Sequence, residues 1–136
     1  ELEASIKARF RRYDEIKAYH TEAELDLTED AEVVVAAYGA TARVAKSAVN
    51  LARAEGIKAG LFRPITLWPF PEKELNKASK NAKVILDVEM SMGQMVEDVK
   101  LAINCSKPVE FYGRTGGVIP TPDEILGQIK KCGGVE

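Results

Sequence analysis

Glu32-Val33-Val34-Val35-Ala36-Ala37-Tyr38-Gly39-Ala40-Thr41 is the stretch on which the fold turns. Its branched and small apolar residues run on without polar alternation, as a strand covered on both faces requires. Gly39 breaks the run where the chain must turn, and a helical pattern follows from about Thr41 to Glu55. Val44, Ala48, Leu51 and Ala52 are expected on the inner face of that helix, with Gly56 placed to end it in a left-handed conformation. A doubly covered strand followed at once by a helix is half of a βαβ unit.

Downstream the alternation continues. Ile57 to Phe62 reads as a second strand that Arg63-Pro64 terminates, because proline removes a ladder donor and restricts the residue before it. Ile65 to Phe70 reads as an apolar loop, and Pro71 opens a helix with Leu75 and Ala78 buried. Lys83 to Val88 is a third strand, Glu89 to Gln94 a connection, and Met95, Val99, Ala102 and Ile103 mark a helix against the sheet. Val109 to Tyr112 is a fourth strand. After the Gly116-Gly117 loop, Thr121-Pro122-Asp123-Glu124 has the order of a capping box, and Ile125, Leu126 and Ile129 face the core from a last helix. Strands alternating with helices predict an α/β fold, a three-layer α/β/α sandwich with a mainly parallel sheet.

Upstream, Leu2, Ile6, Phe10, Tyr13 and Ile16 recur at three- and four-residue steps and predict an amphipathic amino-terminal helix. The acidic stretch from Thr21 to Asp30 reads as a linker or an edge strand. The expected division is residues 1–30, a helix and linker from a preceding domain, and residues 31–136, the α/β domain. A chain that opens on Glu1 and runs directly into a helix reads as cut from something longer.

With 136 residues and 46% hydrophobic content the chain can build one packed core. Its 19 basic and 21 acidic side chains leave a net charge of -2, with no basic field to attract a phosphate backbone, so nucleic acid is not an expected partner. The apolar runs are too short to span a bilayer and no signal peptide opens the chain, so the expectation is a cytoplasmic protein without a membrane partner. Cys105 and Cys132 stand far apart without ligand-spaced neighbours and read as plain reduced thiols. His20 has no nucleophile motif beside it and reads as a surface residue.

In open α/β sheets, ligands and partners meet the loops at the carboxyl ends of the strands. Gly39 and Thr41, at a helix start, either offer N–H groups to a phosphate or form a structural turn capped by Thr41. The dinucleotide fingerprint and the P-loop are both absent. Arg63 is directed at a partner carboxylate or cofactor phosphate, or closes its strand end at the surface. Met90, Met92 and Met95, all the methionines of the chain, fall in one loop and the turn after it, fit either for an irregular core gap or for a contact surface. Glu89 would need a dry setting to act as a general base and has no acid, lysine or histidine partner nearby in sequence. Asp87 alone does not make the carboxylate cluster of a phosphoacceptor site.

Several blocks resemble consecutive parts of the 2-oxoacid:ferredoxin oxidoreductase alpha subunit. They are Val34 to Arg43, Gly60-Leu61-Phe62-Arg63-Pro64 through Pro71, Val88-Glu89-Met90-Ser91-Met92-Gly93-Gln94-Met95, Phe111 to Arg114 and Gly116 to Pro122. The Arg63-Pro64 turn is also similar to one in the transketolase carboxy-terminal domain superfamily. The resemblance covers roughly Asp30 to the end, and implies a transketolase C-terminal-like domain within an enzyme that decarboxylates a 2-oxoacid, reduces ferredoxin and passes the acyl group to coenzyme A. It further implies that thiamine diphosphate, magnesium and iron-sulfur clusters are held elsewhere in the complex, since no Gly-Asp-Gly motif or cysteine motif is present here. No cofactor is expected on this chain, which is expected to be inactive alone.

The implied role is a non-catalytic structural or assembly domain, partnered by the preceding alpha-subunit domain and by the beta and other subunits. Arg63, Met90, Met92, Gln94 and Arg114 are the interface candidates. The alternatives are a free-standing phosphate- or coenzyme-binding module using Gly39, Thr41 and Arg63, and an unrelated protein-interaction domain. Branched-chain, 2-oxoglutarate and pyruvate versions of the family all stay open, because side-chain selection is expected around the thiazolium, outside this fragment.

Overall fold

A computed structural model describes residues 1–134. Four strands run parallel: β2 (Val33–Ala36), β3 (Ala59–Pro64), β4 (Val84–Glu89) and β5 (Val109–Gly113). A short β1 (Ala23–Asp26) pairs antiparallel with β3, and the order across the sheet is β1-β3-β2-β4-β5. The helices are α1 (Leu2–Tyr19), α2 (Gly39–Ala54), α3 (Glu72–Ala78), α4 (Met95–Ala102) and α5 (Pro122–Gly133).

Strand alternation divides the core into two layers. Val33, Val35, Leu61, Leu86 and Val88 pack under α2 and α5 with Ala45, Ala48, Ile125 and Ile129. Val34, Ala36, Phe62 and Ile85 face the other way, toward Leu75 of α3 and Met95 and Val99 of α4. This is the expected α/β/α sandwich, and all four residues of β2 are buried because both layers press on it.

The helix ends follow from local chemistry. Thr121 accepts from the Glu124 amide at 3.2 Å while the Glu124 carboxylate accepts from the Thr121 amide at 2.7 Å, so the capping box forms as read. Thr121→Ala should lower stability by ~1 kcal/mol in a thermal melt, the usual cost of losing a side-chain cap. Gly56 adopts φ +83° just beyond α2, as its sequence position predicts.

Of the two readings of the acidic stretch, the edge strand is the one that forms: β1 adds to the sheet edge beside β3. Other expectations are corrected. β3 does not stop before Arg63-Pro64. Pro64 pairs with Ala23, and the next amide, Ile65, donates to Glu22. The missing proline donor thus turns away from β1, toward the side that β2 has already left. α2 begins at Gly39 rather than Thr41, with Tyr38 as its cap residue, so Thr41 caps nothing and lies buried in the first turn. Leu51 is 41% exposed, because Ala48, Val49 and Ala52 already fill the contact with the sheet and α5.

α1 is helical as predicted, but none of its residues is buried. Leu2 and Phe10 are 75% and 59% exposed. Its hold on the sheet domain includes the edge of Tyr13 against Trp68 at 5.4 Å. Among the described residues no helix is long and apolar enough to cross a membrane.

Candidate functional site

The strand order places the crevice. The chain leaves β2 for β3 on one side and returns past β2 to reach β4 on the other, so the loops after β2 and β4 diverge at their carboxyl ends. In α/β sheets that divergence is where ligands and partners gather. Here it holds Tyr38 and Gly39 from the first loop, and Glu89 to Gln94 from the second.

Glu89, the last residue of β4, is fully buried. Its Oε1 accepts from the Gln94 and Val96 amides, each at 3.0 Å, and its Oε2 accepts from Ser91 Oγ at 3.0 Å. α4 has no side-chain cap of its own, so a carboxylate from the preceding strand satisfies the free donors of its first turn. Ser91 Oγ in turn accepts from the Gly93 amide, closing the turn on itself.

Asp87 stands two residues earlier on the same strand face and is also fully buried. Burial first, then hydrogen bonding and charge from Glu89, push its carboxyl up to about 9, with Lys100 drawing slightly the other way. Burial likewise pushes Glu89 up, but the hydrogen bond with Asp87 and the backbone amides at the start of α4 outweigh it and hold Glu89 below its ordinary range. The Tyr38 phenol is raised, first by burial and then by the charges of Glu89 and Asp87. The partner acid missing from the sequence reading of Glu89 is therefore Asp87. Strand periodicity was the signal for it, since carboxylates at i and i+2 in an otherwise apolar Val84-Ile85-Leu86-Asp87-Val88-Glu89 must share a face.

The methionines part company. Met95 is 3% exposed and packs in the core below α4, Met90 is half-buried, and Met92 is 85% exposed. Gln94 keeps its side chain in solvent while its amide binds Glu89. Arg63 and Arg114 are not drawn to the crevice. Arg63 Nη1 contacts Glu24 at 3.0 Å across the β1–β3 ladder, and Arg114 Nη1 contacts Glu124 at 2.6 Å at the start of α5. With β2 and β4 between them, β3, which carries Arg63, and β5, which ends just before Arg114, lie ~14 Å apart. The Arg63 guanidinium is paired with Glu24 of β1, while Gly39 and Thr41 lie in the first turn of α2.

No acid of the buried pair reaches solvent, and general acid–base work on a substrate needs hydrogen-bond reach to it. Among the described residues no three His, Cys, Asp or Glu side chains are grouped to hold a metal ion.

A family model described as pyruvate:ferredoxin oxidoreductase core domain II matches residues 31–125. The chain belongs to this family. The chain is 44% identical over 123 residues to the ketoisovalerate oxidoreductase subunit VorB of Methanothermobacter marburgensis, covering 90% of this chain and 35% of that subunit. It is 42% identical over 102 residues to the 2-oxoglutarate synthase subunit KorA of the same organism, covering 75% of this chain and 27% of that one. The chain thus spans about a third of the length of such relatives. In fold, it superposes on 2-oxoglutarate:ferredoxin oxidoreductase from Magnetococcus marinus, solved with 2-oxoglutarate, coenzyme A and succinyl-CoA bound, with a TM-score of 0.79. That match covers 95% of this chain and 23% of the other at 23% identity. A split-gene transketolase, an inactive β4 tetramer, shares the fold at a TM-score of 0.67 and 18% identity over 84% of this chain and 42% of that one. The family and the transketolase-like sandwich read from the sequence blocks are therefore shown. The five site residues are proposals still.

Proposed function

We propose that core domain II serves its oxidoreductase as a non-catalytic assembly element, presenting the turn after β4 to a neighbouring domain or subunit. One observation carries this reading. The two carboxyls at the end of β4 are sealed from solvent, while on the turn that follows Met92 stands 85% exposed beside an exposed Gln94, so the surface offered there is uncharged and its chemistry is contact. Thioethers suit such a surface because they adapt to an irregular partner. Residues 1–30 extend the same role: the uncovered stripe of Leu2, Ile6 and Phe10 is what a helix joined to a preceding alpha-subunit domain would bury against it. Met90, Gln94, Arg63 and Arg114 are proposed as secondary contacts, the arginines by their half-exposed guanidinium groups.

The parent reaction is proposed as oxidative decarboxylation of a 2-oxoacid to an acyl-CoA with reduction of ferredoxin, in the cytoplasm. The described residues do not group to hold the cofactors such a reaction implies. A magnesium diphosphate needs reachable oxygen donors, and Asp87 and Glu89 are sealed. An iron-sulfur cluster needs grouped thiolates, and Cys105 and Cys132 enter no such group. Thiamine diphosphate, magnesium and clusters are assigned to other parts of the complex, with the beta and remaining subunits as partners.

Met92→Asp tests the role. In the full complex it should weaken subunit or domain assembly at least tenfold, measured by sedimentation or native mass spectrometry. The chain itself should melt within a degree or two of the parent, since a surface substitution stays within about 0.5 kcal/mol. Unchanged assembly would remove this turn from the interface.

A further inference from the structure

Asp87 poses a problem that the assembly role does not answer. It is fully buried, and neither of its oxygens has a hydrogen-bond donor among the described residues. An ionised carboxylate so placed is costly, and one without donors is rare in a packed interior. Glu89 is placed oppositely. Its two oxygens receive the Gln94 and Val96 amides and the Ser91 hydroxyl. Three donors on one carboxyl and none on its neighbour favour Glu89 as the anion and Asp87 as the protonated acid.

We propose that Asp87 and Glu89 form a one-proton latch, in which the Asp87 carboxyl O–H holds Glu89 and Glu89 holds the turn from Ser91 to Val96 against the start of α4. The latch is argued from two sealed carboxyls two residues apart on one strand face, one unpartnered and the other donor-saturated; the hydrogen bond between them is part of the proposal. Its consequence for assembly rests additionally on the contact role proposed for Met92.

Removing the proton would put two anions side by side in a dry site, where neither has room to turn to water. The groups facing the pair set the pH at which this happens. Tyr38 approaches from the end of β2 and is itself held neutral by burial and by the two carboxyls. Asp98, from α4, is pushed up by burial and by the charges of Glu89 and Glu97, so the first turn of α4 adds negative potential. Lys100, also on α4, acts in the other direction on Asp87. α3 adds only Leu75 and Ala78 to this side of the core. Burial and repulsion dominate, and the Asp87 carboxyl keeps its proton up to about pH 9. Below that the turn is fastened. Above it, Glu89 is repelled from within and releases the Gln94 and Val96 amides.

The test uses the 136-residue chain with ¹³C-carboxyl aspartate and ¹³C-methyl methionine, titrated by NMR from pH 5 to 10.5. The expected result is an Asp87 carboxyl resonance with a midpoint above about 8, and Met92 and Met95 methyl resonances that shift with that same midpoint. Asp87→Asn keeps an N–H donor toward Glu89 but has no proton to lose, so its methionine resonances should stay fixed over this range. Tyr38→Phe should leave the methionine transition in place, which separates Asp87 from the nearby phenol. An Asp87 midpoint below about 6 overturns the latch, and so does a high midpoint with still methionines. A methionine transition that survives Asp87→Asn or vanishes in Tyr38→Phe also overturns it. Should Asp87→Asn fail to fold, the two midpoints in the parent chain decide the matter alone. Failure of Met92→Asp to disturb assembly would leave the latch standing, so the two ideas fail separately.

Discussion

Glu89→Ala should destabilise the domain by ~3–5 kcal/mol, lowering its melting temperature by roughly 10–20 °C for a chain of this size. The substitution removes the acceptor of two backbone amides, Gln94 and Val96, in a site closed to water. Each buried donor left unpaired costs ~1–3 kcal/mol, and the vacated side-chain volume adds a cavity term. Asp87 loses its acceptor at the same time. Glu89→Gln keeps one oxygen for the turn and should cost less than half as much, so the order of the two variants is itself a check. A Glu89→Ala chain melting within a few degrees of the parent would show that α4 starts without this carboxylate. The pH dependence has two opposed parts. Glu89, held below its ordinary range, contributes stability that is present above the ordinary glutamate range and lost as pH falls through its depressed value. Asp87, raised, contributes stability that is complete below the ordinary aspartate range and lost as pH rises through about 9.

The readings that succeeded are those whose cause lies within a few residues. The unbroken apolar run of β2, the capping box at Thr121 and the glycine after α2 each depend on the local backbone and on neighbours within one turn. Expectations that failed depend on distant partners. Leu51 sits at helical spacing from Ala48 and Ala52, but its exposure is decided by how far α5 reaches across α2. Arg63 reads equally as a ligand or a strand-end residue until β1 folds back, when the register of Glu24 against it settles the direction of its head. β1 is legible only as one of two alternatives because Ala23-Glu24-Leu25-Asp26 is short and acidic, and its charges are answered by Arg63 and Lys46 from other elements.

The candidate site divides along the same line. That Met90, Met92 and Met95 cluster is plain in the sequence, yet only the turn geometry sorts them, sending Met95 inward as the first residue of α4 and leaving Met92 outside. Asp87 and Glu89 are both visible in the sequence, but neither matches a catalytic motif by itself. Taken together at strand period, they describe a buried pair with one anion and one acid. Their sealed position is what turns the reading from chemistry on a substrate toward contact with a partner.

Gly60→Ala should cost ~2–4 kcal/mol, and the loss should begin at the sheet edge. Gly60 has no unusual backbone angle to explain it. What it needs is space, because a Cβ there would lie 2.6 Å from the Leu27 carbonyl oxygen and 3.0 Å from Ala31 Cβ. Overpacking against side chains can relax, usually at 1–3 kcal/mol, but this neighbour is backbone and is pinned. Arg53 Nη2 donates to the Leu27 carbonyl at 2.7 Å, and the same guanidinium binds Asp30 and the Ala59 carbonyl. Leu27 already holds φ at +54°, a conformation costly for a branched residue, so it has little freedom to move. Pushing it outward must therefore break part of the Arg53 network and loosen β1 from β3. Limited proteolysis should cut first between residues 26 and 31 in the variant and not in the parent. Arg53→Ala removes the pin, so adding it to Gly60→Ala should cost clearly less than the sum of the two single changes. Full additivity in melting experiments would mean that Gly60 and Arg53 act on separate parts of the edge, and that the first thirty residues are joined to the sheet by something other than this contact.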